Sequence, residues 1–183
     1  MRVSLVLVLA ALTLVGCGIP IDAGPEAIEV DMDQPSDVGG DTASGELAAV
    51  SMYLIRNDLL VRVTRDLPSP ASVSIILESL LDGVTQPEER ANLRTAIPPR
   101  TDIVEVIETD AVLRVNLSNE FAAVGGEEEV LAVAQIVLTA VSIEGVDRVT
   151  FELDGVPTDV PVAGGALSDS PVGASDYESL VAP

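Results

Sequence analysis

The chain has 183 residues, of which 30 are acidic and nine are basic, and its formal net charge at pH 7 is −21. We expect no binding of nucleic acid, because contacts to phosphates need a basic patch. All the basic residues are arginine and there is no histidine. Ser-His, Cys-His and Ser-Lys nucleophilic arrangements, Schiff-base lysines and zinc sites built from His and Cys are therefore excluded in this chain.

The first residues have the pattern of an export signal. Arg2 precedes residues 3–15, which are apolar apart from one serine and one threonine, a run shorter than the about 20 residues of a membrane-spanning helix. The run ends in Leu-Val-Gly-Cys, which contains the only cysteine and resembles the lipobox of bacterial lipoproteins. We expect removal of residues 1–16 and attachment of palmitate-type acyl chains to Cys17. The protein would then be lipid-anchored in the cell membrane, on its extracytoplasmic face.

A tether is predicted between the anchor and the folded part. Residues 17–46 are rich in Gly, Pro, Asp and Glu, and they have no apolar periodicity. Such a composition favours a disordered chain. A flexible coil of about 30 residues spans roughly 30 Å, enough to lift a domain above the lipid headgroups.

The folded domain is predicted over residues 47–156 and begins with two strands and a helix. Apolar and polar residues alternate on either side of a turn at residues 56–58, which predicts a β-hairpin. The following helix has apolar residues at the i, i+3, i+4, i+7 spacing. We expect Ser69 to be its N-cap and Pro70 its first residue, and a short helical turn is expected at residues 87–93.

The second half of the domain repeats this order. Two strands are predicted to meet near Asp110, with Leu113, Val115 and Leu117 on one face. A second helix begins with three glutamates at residue 127, where negative charge favours the positive end of the helix dipole.

A last strand precedes a Pro- and Gly-rich C-terminal tail, residues 157–183, which we expect to follow the surface and to be anchored by Tyr177 and Leu180. This element order predicts an α+β fold, a mixed β-sheet with two main helices packed on one face.

Short motifs along these elements resemble those of the GerMN domain, which is named for a sporulation and spore-germination protein. They are LLDG at 80–83, TAIP at 95–98, VNLS at 115–118 with Phe121, QIVLT at 135–139 and DG at 154–155. Val84 and Asn116 depart from the family, which often has proline and aspartate there. The resemblance implies a fold similar to ring-building modules of envelope machines, and a module of exported, lipid-anchored proteins that assembles with other proteins.

We expect a non-enzymatic scaffold or adaptor in a cell-wall or sporulation-like assembly, with no catalytic residue, metal or cofactor. An alternative is an extracytoplasmic module that binds a small ligand or wall fragment and signals to a membrane partner. A concavity between sheet and helices would favour this alternative, whereas a flat apolar surface would favour assembly. A carboxylate-based hydrolase is a further alternative, although sugar clefts commonly present aromatic platforms and this chain has four tyrosines and phenylalanines together.

Two sets of residues are predicted as partner contacts. Gln135, Thr139 and Ser142 form a polar stripe on the otherwise apolar second helix, and this stripe is either the solvent face of the helix or a contact with a partner.

Residues 56–100 carry six arginines and six acidic residues, so this part is neutral within an acidic chain. Arg62, Arg90 and Arg94 could dock there onto the acidic part of an envelope partner or of a second copy.

Overall fold

Two antiparallel strands begin the folded part of the chain, in a computed structural model that describes residues 45–183. The strands β1 (Leu47–Arg56) and β2 (Leu59–Pro68) pair over their whole length. Asn57 and Asp58 have φ values of 51° and 60°, the left-handed backbone of a two-residue hairpin turn. The hairpin predicted from the alternating pattern is confirmed.

Two short helices follow the hairpin, α1 (Val73–Leu81) and α2 (Gln86–Arg90). The predicted start of α1 is wrong, because Ser72 is the N-cap and its hydroxyl accepts a bond from a first-turn N–H at 3.3 Å. The N–H of Ser69 instead donates to the carbonyl of Glu46 at 2.7 Å. This bond keeps the serine at the base of the hairpin, outside the helix.

A mixed sheet forms the other layer of the fold. Its strands are β3 (Ile103–Thr109), β4 (Val112–Leu117), β5 (Arg148–Leu153) and β6 (Val156–Thr158), in that spatial order. The pair β4 and β5 is parallel and the other pairs are antiparallel. Parallel neighbours need a long crossover, which contains α3 (Glu127–Ala140).

Helix α3 lies at the centre of the core. Residues 131–140 are all buried, because β1, β5, α1 and the C-terminal segment contact this helix. Leu113, Val115 and Leu117 face the same core, as predicted. The α+β class with a mixed sheet is confirmed; the hairpin, however, forms a two-stranded sheet of its own.

The residues after β6 are part of the fold. They form the small hairpin β7 (Val160–Pro161) and β8 (Leu167–Ser168). Tyr177 is completely buried, and its hydroxyl donates to the carbonyl of Pro161 at 3.0 Å. The N–H of Ala182 donates to a β2 carbonyl at 2.8 Å. The C-terminal segment therefore closes the core beside α3.

Candidate partner-binding surfaces

The polar stripe of α3 pairs with the edge of β1 that β2 leaves free. The amide nitrogen of Gln135 donates to the carbonyl of Tyr53 at 3.1 Å, and the hydroxyl of Thr139 accepts from the N–H of Tyr53 at 3.0 Å. One turn further, the hydroxyl of Ser142 donates to the carbonyl of Ser51 at 3.1 Å. Two side chains of α3 and that of Ser142, just after the helix end, thus take the place of a third strand along part of β1.

Gln135 and Thr139 are therefore neither a solvent face nor a partner contact. Both are completely buried, and the carbonyl oxygen of the Gln135 side chain also accepts from the N–H of Ala96 at 2.8 Å. Buried backbone groups need hydrogen-bond partners, and these side chains supply them. The partner contact predicted from the stripe is corrected for these two residues, and Ser142 uses its hydroxyl inside the domain.

Arg94 links the hairpin turn to the start of α3. Its guanidinium donates to both carboxylate oxygens of Glu128 at 2.7 and 3.0 Å and to Asp58 at 2.9 Å. The hydrogen bond with Glu128 is the largest cause of a raised Arg94 pKa; the bond with Asp58 adds to it and desolvation opposes it. Arg94 is thus occupied by acids of its own domain, whereas Arg62 on β2 and Arg90 on α2 are exposed. The three predicted arginines lie on different elements.

Arg65, which the sequence does not single out, has more partners than any of these three. Its guanidinium donates to Glu88 at 2.6 and 2.9 Å, to the carbonyl of Gly83 at 2.6 Å, and to the carbonyl and hydroxyl oxygens of Ser79. The side chains of Arg65 and Glu88 are about nine-tenths buried, with exposures of 10% and 12%. Arg65 therefore holds α1 and α2 against β2, and it has a structural role.

An open groove of about 730 Å³ lies at the start of α3, where this helix meets β7 and β8. Val130 and Leu131 of α3 and Leu180 of the C-terminal segment line it, together with Leu167, which is 69% exposed. We call it the acidic groove, because every charged residue that lines it is negative. These residues are Asp58, Glu127 and Glu129.

The outer face of the four-stranded sheet carries a charge network. Arg114 donates to both carboxylate oxygens of Glu152 at 2.9 Å and to Glu105 at 3.1 Å. The hydrogen bond with Glu152 is the largest cause of the raised pKa of Arg114. Both carboxylates here are thus bound by the same guanidinium.

A comparison with protein-family models finds one match that covers most of the chain. The model described as Germane, sporulation and spore germination, matches residues 27–159. The chain belongs to the Germane family. The predicted GerMN resemblance is thereby confirmed, and the family is described by a role in sporulation and germination, without a reaction.

Solved structures have the same fold. The tandem GerMN domains of the sporulation protein GerM from Bacillus subtilis superpose with a TM-score of 0.60 at 25% identity, over 72% of this chain and 48% of that one. This chain thus spans about half of the tandem structure. The first GerMN domain of GerM alone gives a TM-score of 0.54 at 24% identity, over 70% of this chain and 98% of that one.

A candidate lipoprotein from Clostridium perfringens also shares the Germane fold. It gives a TM-score of 0.50 at 16% identity, over 74% of this chain and 93% of that one. A search of curated proteins gives no match.

The Germane domain begins after the segment that contains the predicted anchor. Cys17, the export signal and most of the tether lie outside the described residues, 45–183. In that described part, no helix is long and apolar enough to cross a membrane. The same part contains no group of three or more His, Cys, Asp or Glu residues that could hold a metal ion.

Proposed function

We propose that this protein is a membrane-anchored envelope lipoprotein whose GerMN domain is a non-enzymatic adaptor, and that it holds a segment of a partner protein in the acidic groove. The lipobox at Cys17 supports the anchor. Membership of the Germane family supports a role in an envelope process of the sporulation or cell-wall kind. The space between sheet and helices is filled by the buried side chains of α3, so a partner or ligand would bind on the outer surface.

The composition of the groove carries this proposal. Its apolar residues would bind an apolar side chain. The carboxylates of Glu127, which is exposed, and of Glu129, which is partly exposed, would bind a neighbouring arginine or lysine. The best occupant is therefore a partner segment that combines apolar and basic residues. The chain's own tether is a poor occupant, because residues 18–46 contain eight acidic residues and no basic one.

Crosslinking in the native envelope tests the proposal. The lipidated protein is expressed in its own host, crosslinked and purified with what it binds. A Cys17→Ala variant tests the anchor, and the double variant Glu127→Gln with Glu129→Gln tests the groove. The control variant Glu89→Gln with Glu144→Gln removes the same charge at two exposed acids outside the groove.

We expect one membrane or wall-synthesis protein to be recovered with the native chain and the control, and to be lost with both test variants. Recovery of the same partner with the groove variant would exclude the groove as its contact. Loss of the partner with the control as well would indicate a general charge effect and count against the proposal.

The size of the groove favours one other function. Its volume of about 730 Å³ lies in the range of about 300–1,000 Å³ that is typical of small-molecule sites. The same groove could bind a cationic amphiphile or a wall fragment with amino groups. Saturable binding of such a molecule, lost in the groove variant while no protein crosslinks, would favour this ligand-binding function over the adaptor.

A further inference from the structure

One edge of β2 is free along half of the strand. The register pairs Ile55 of β1 with Leu60 of β2, and the carbonyl of Leu60 bonds to the N–H of Ala182, away from β1. Because successive residues of an antiparallel strand direct their backbone groups to opposite sides, Arg62, Thr64 and Asp66 also direct theirs away from β1. Within residues 45–183 these groups have no backbone partner.

The contrast with β1 shows that this free edge is a distinct feature. On β1 the outward backbone groups of Tyr53 and Ile55 and the carbonyl of Ser51 are occupied by the polar stripe and by the backbone of Arg94. On β2 the side chains of Arg62, Thr64 and Asp66 are all exposed. An exposed strand edge of this kind is a template for pairing with another strand.

The charges along the edge are self-complementary. Two copies of β2 that pair antiparallel about Thr64 place Arg62 of each copy opposite Asp66 of the other. Neither side chain has an ion pair within residues 45–183, so both are available for the contact. Opposite charges in directly facing positions stabilise a strand pair.

The register is also restricted by the two ends of the edge. If the pairing moved towards the start of β2, it would need the backbone groups of Leu60, whose carbonyl already accepts from Ala182. A shift in the other direction would need Pro68, which has no N–H to donate. Pairing centred on Thr64 uses the free groups alone and allows roughly six backbone hydrogen bonds.

We propose that two copies of this protein pair through the free edges of β2, antiparallel about Thr64, and form a symmetric dimer with a continuous four-stranded sheet. The contact is isologous, since the same surface is used on both copies. The neutral charge of residues 56–100 allows this approach in a chain that is otherwise strongly acidic. This inference does not depend on the acidic groove.

Disulfide trapping of the full-length, lipidated protein in its membrane tests the dimer. Facing residues that share hydrogen bonds have Cα atoms about 5.5 Å apart, which is within disulfide reach. Thr64→Cys should therefore give a covalent dimer on a non-reducing gel after mild oxidation. Thr109→Cys, an exposed position at the end of β3, and the unsubstituted chain with Cys17 alone are the controls.

The register is tested by mixed pairs. Co-expressed copies that carry Arg62→Cys and Asp66→Cys should crosslink to each other, while each variant alone should crosslink much less. In the Thr64→Cys background, Arg62→Glu should lower the association constant of the dimer by about tenfold. The reason is that the two attractive pairs between position 62 and Asp66 become repulsive. Arg62→Glu with Asp66→Arg should restore dimerisation.

Equal crosslinking of Thr64→Cys and Thr109→Cys would overturn the dimer. Equal crosslinking of the mixed and single variants would overturn the register. Failure of the charge swap to restore dimerisation would overturn the role of Arg62 and Asp66, whose charges would then protect the edge from unwanted pairing.

Discussion

The guanidinium of Arg65 meets the carboxylate of Glu88 at 2.6 Å in a mostly buried ion pair, which joins β2 to the first turn of α2. The carboxylate of Glu88 also accepts from the N–H of Thr85 at 2.6 Å, as part of a capping box. On its other side, Arg65 donates to carbonyls at the end of α1, where cations are favourable. One side chain therefore fixes the ends of two helices to one strand.

Replacing Arg65 by an uncharged residue should destabilise the folded state. We expect Arg65→Met to lower the free energy of unfolding by about 3 kcal/mol, because the carboxylate of Glu88 and the carbonyls of α1 lose their donor. Arg62→Met, on the same strand but exposed, should change stability by less than about 0.5 kcal/mol. Urea unfolding followed by circular dichroism measures both. Equal effects of the two substitutions would contradict this structural role of Arg65.

The ion pair should also make stability depend on pH. Desolvation raises the pKa of Glu88, but the hydrogen bonds from Arg65 and Thr85 and the charge of Arg65 outweigh it, so the pKa lies below the ordinary 4.5. A lowered folded-state pKa contributes stability above the unfolded pKa, and this contribution is lost as pH falls through the folded value. The difference in stability between the native chain and Glu88→Gln should therefore be constant from pH 7 to about 5 and shrink below 4.5. A constant difference down to pH 3 would contradict this assignment.

The sequence predicts the strands well, because burial on one face of a sheet produces alternation with a period of two residues. The same alternation places Arg65 on the inward side of β2 with Val61 and Val63. The alternation could have identified Arg65 as a buried cation, but its partner lies 23 residues further along the chain. A pattern along one strand does not show which distant residue will meet it.

The polar stripe of α3 is the position where the sequence misleads most. Gln135 and Thr139 recur at helical spacing, and this spacing is the same whether the stripe faces water, a partner or a buried strand edge. The decisive fact is that β1 is an edge strand inside the core, with backbone groups that need partners. That fact depends on how the hairpin packs on the helix, which periodicity along the chain does not contain.

Replacing the polar side chains of the stripe should lower the stability of the domain. We expect this loss in the isolated protein, because the stripe's hydrogen bonds lie inside the domain. We expect Gln135→Leu to cost about 2–4 kcal/mol, because the carbonyl of Tyr53 and the N–H of Ala96 would stay buried without partners. Thr139→Val, which removes one acceptor, should cost about 1–2 kcal/mol. Gln86→Leu is the control, since Gln86 is exposed. Stability of the Gln135 variant within about 0.5 kcal/mol of the native chain would show that water or a shifted backbone satisfies these groups.

The burial of Tyr177 leads to a prediction at high pH. Desolvation, with a smaller effect of the nearby Asp176 charge, raises the pKa of the Tyr177 phenol well above its ordinary value. A neutral phenol in the folded state stabilises the fold up to the unfolded pKa of about 10 and loses this contribution above it. The native chain should therefore lose stability above about pH 10 more steeply than Tyr177→Phe.

At pH 7 the same substitution should cost about 1–2 kcal/mol, because the carbonyl of Pro161 loses a buried donor. Urea unfolding at pH 7, 9, 10 and 11 separates the two effects, with Tyr53→Phe as the control for the other tyrosine. Since Tyr177 packs against β7, its loss should loosen the C-terminal segment that forms one wall of the acidic groove. Parallel pH profiles of the native chain and Tyr177→Phe would show that the phenol is accessible to water.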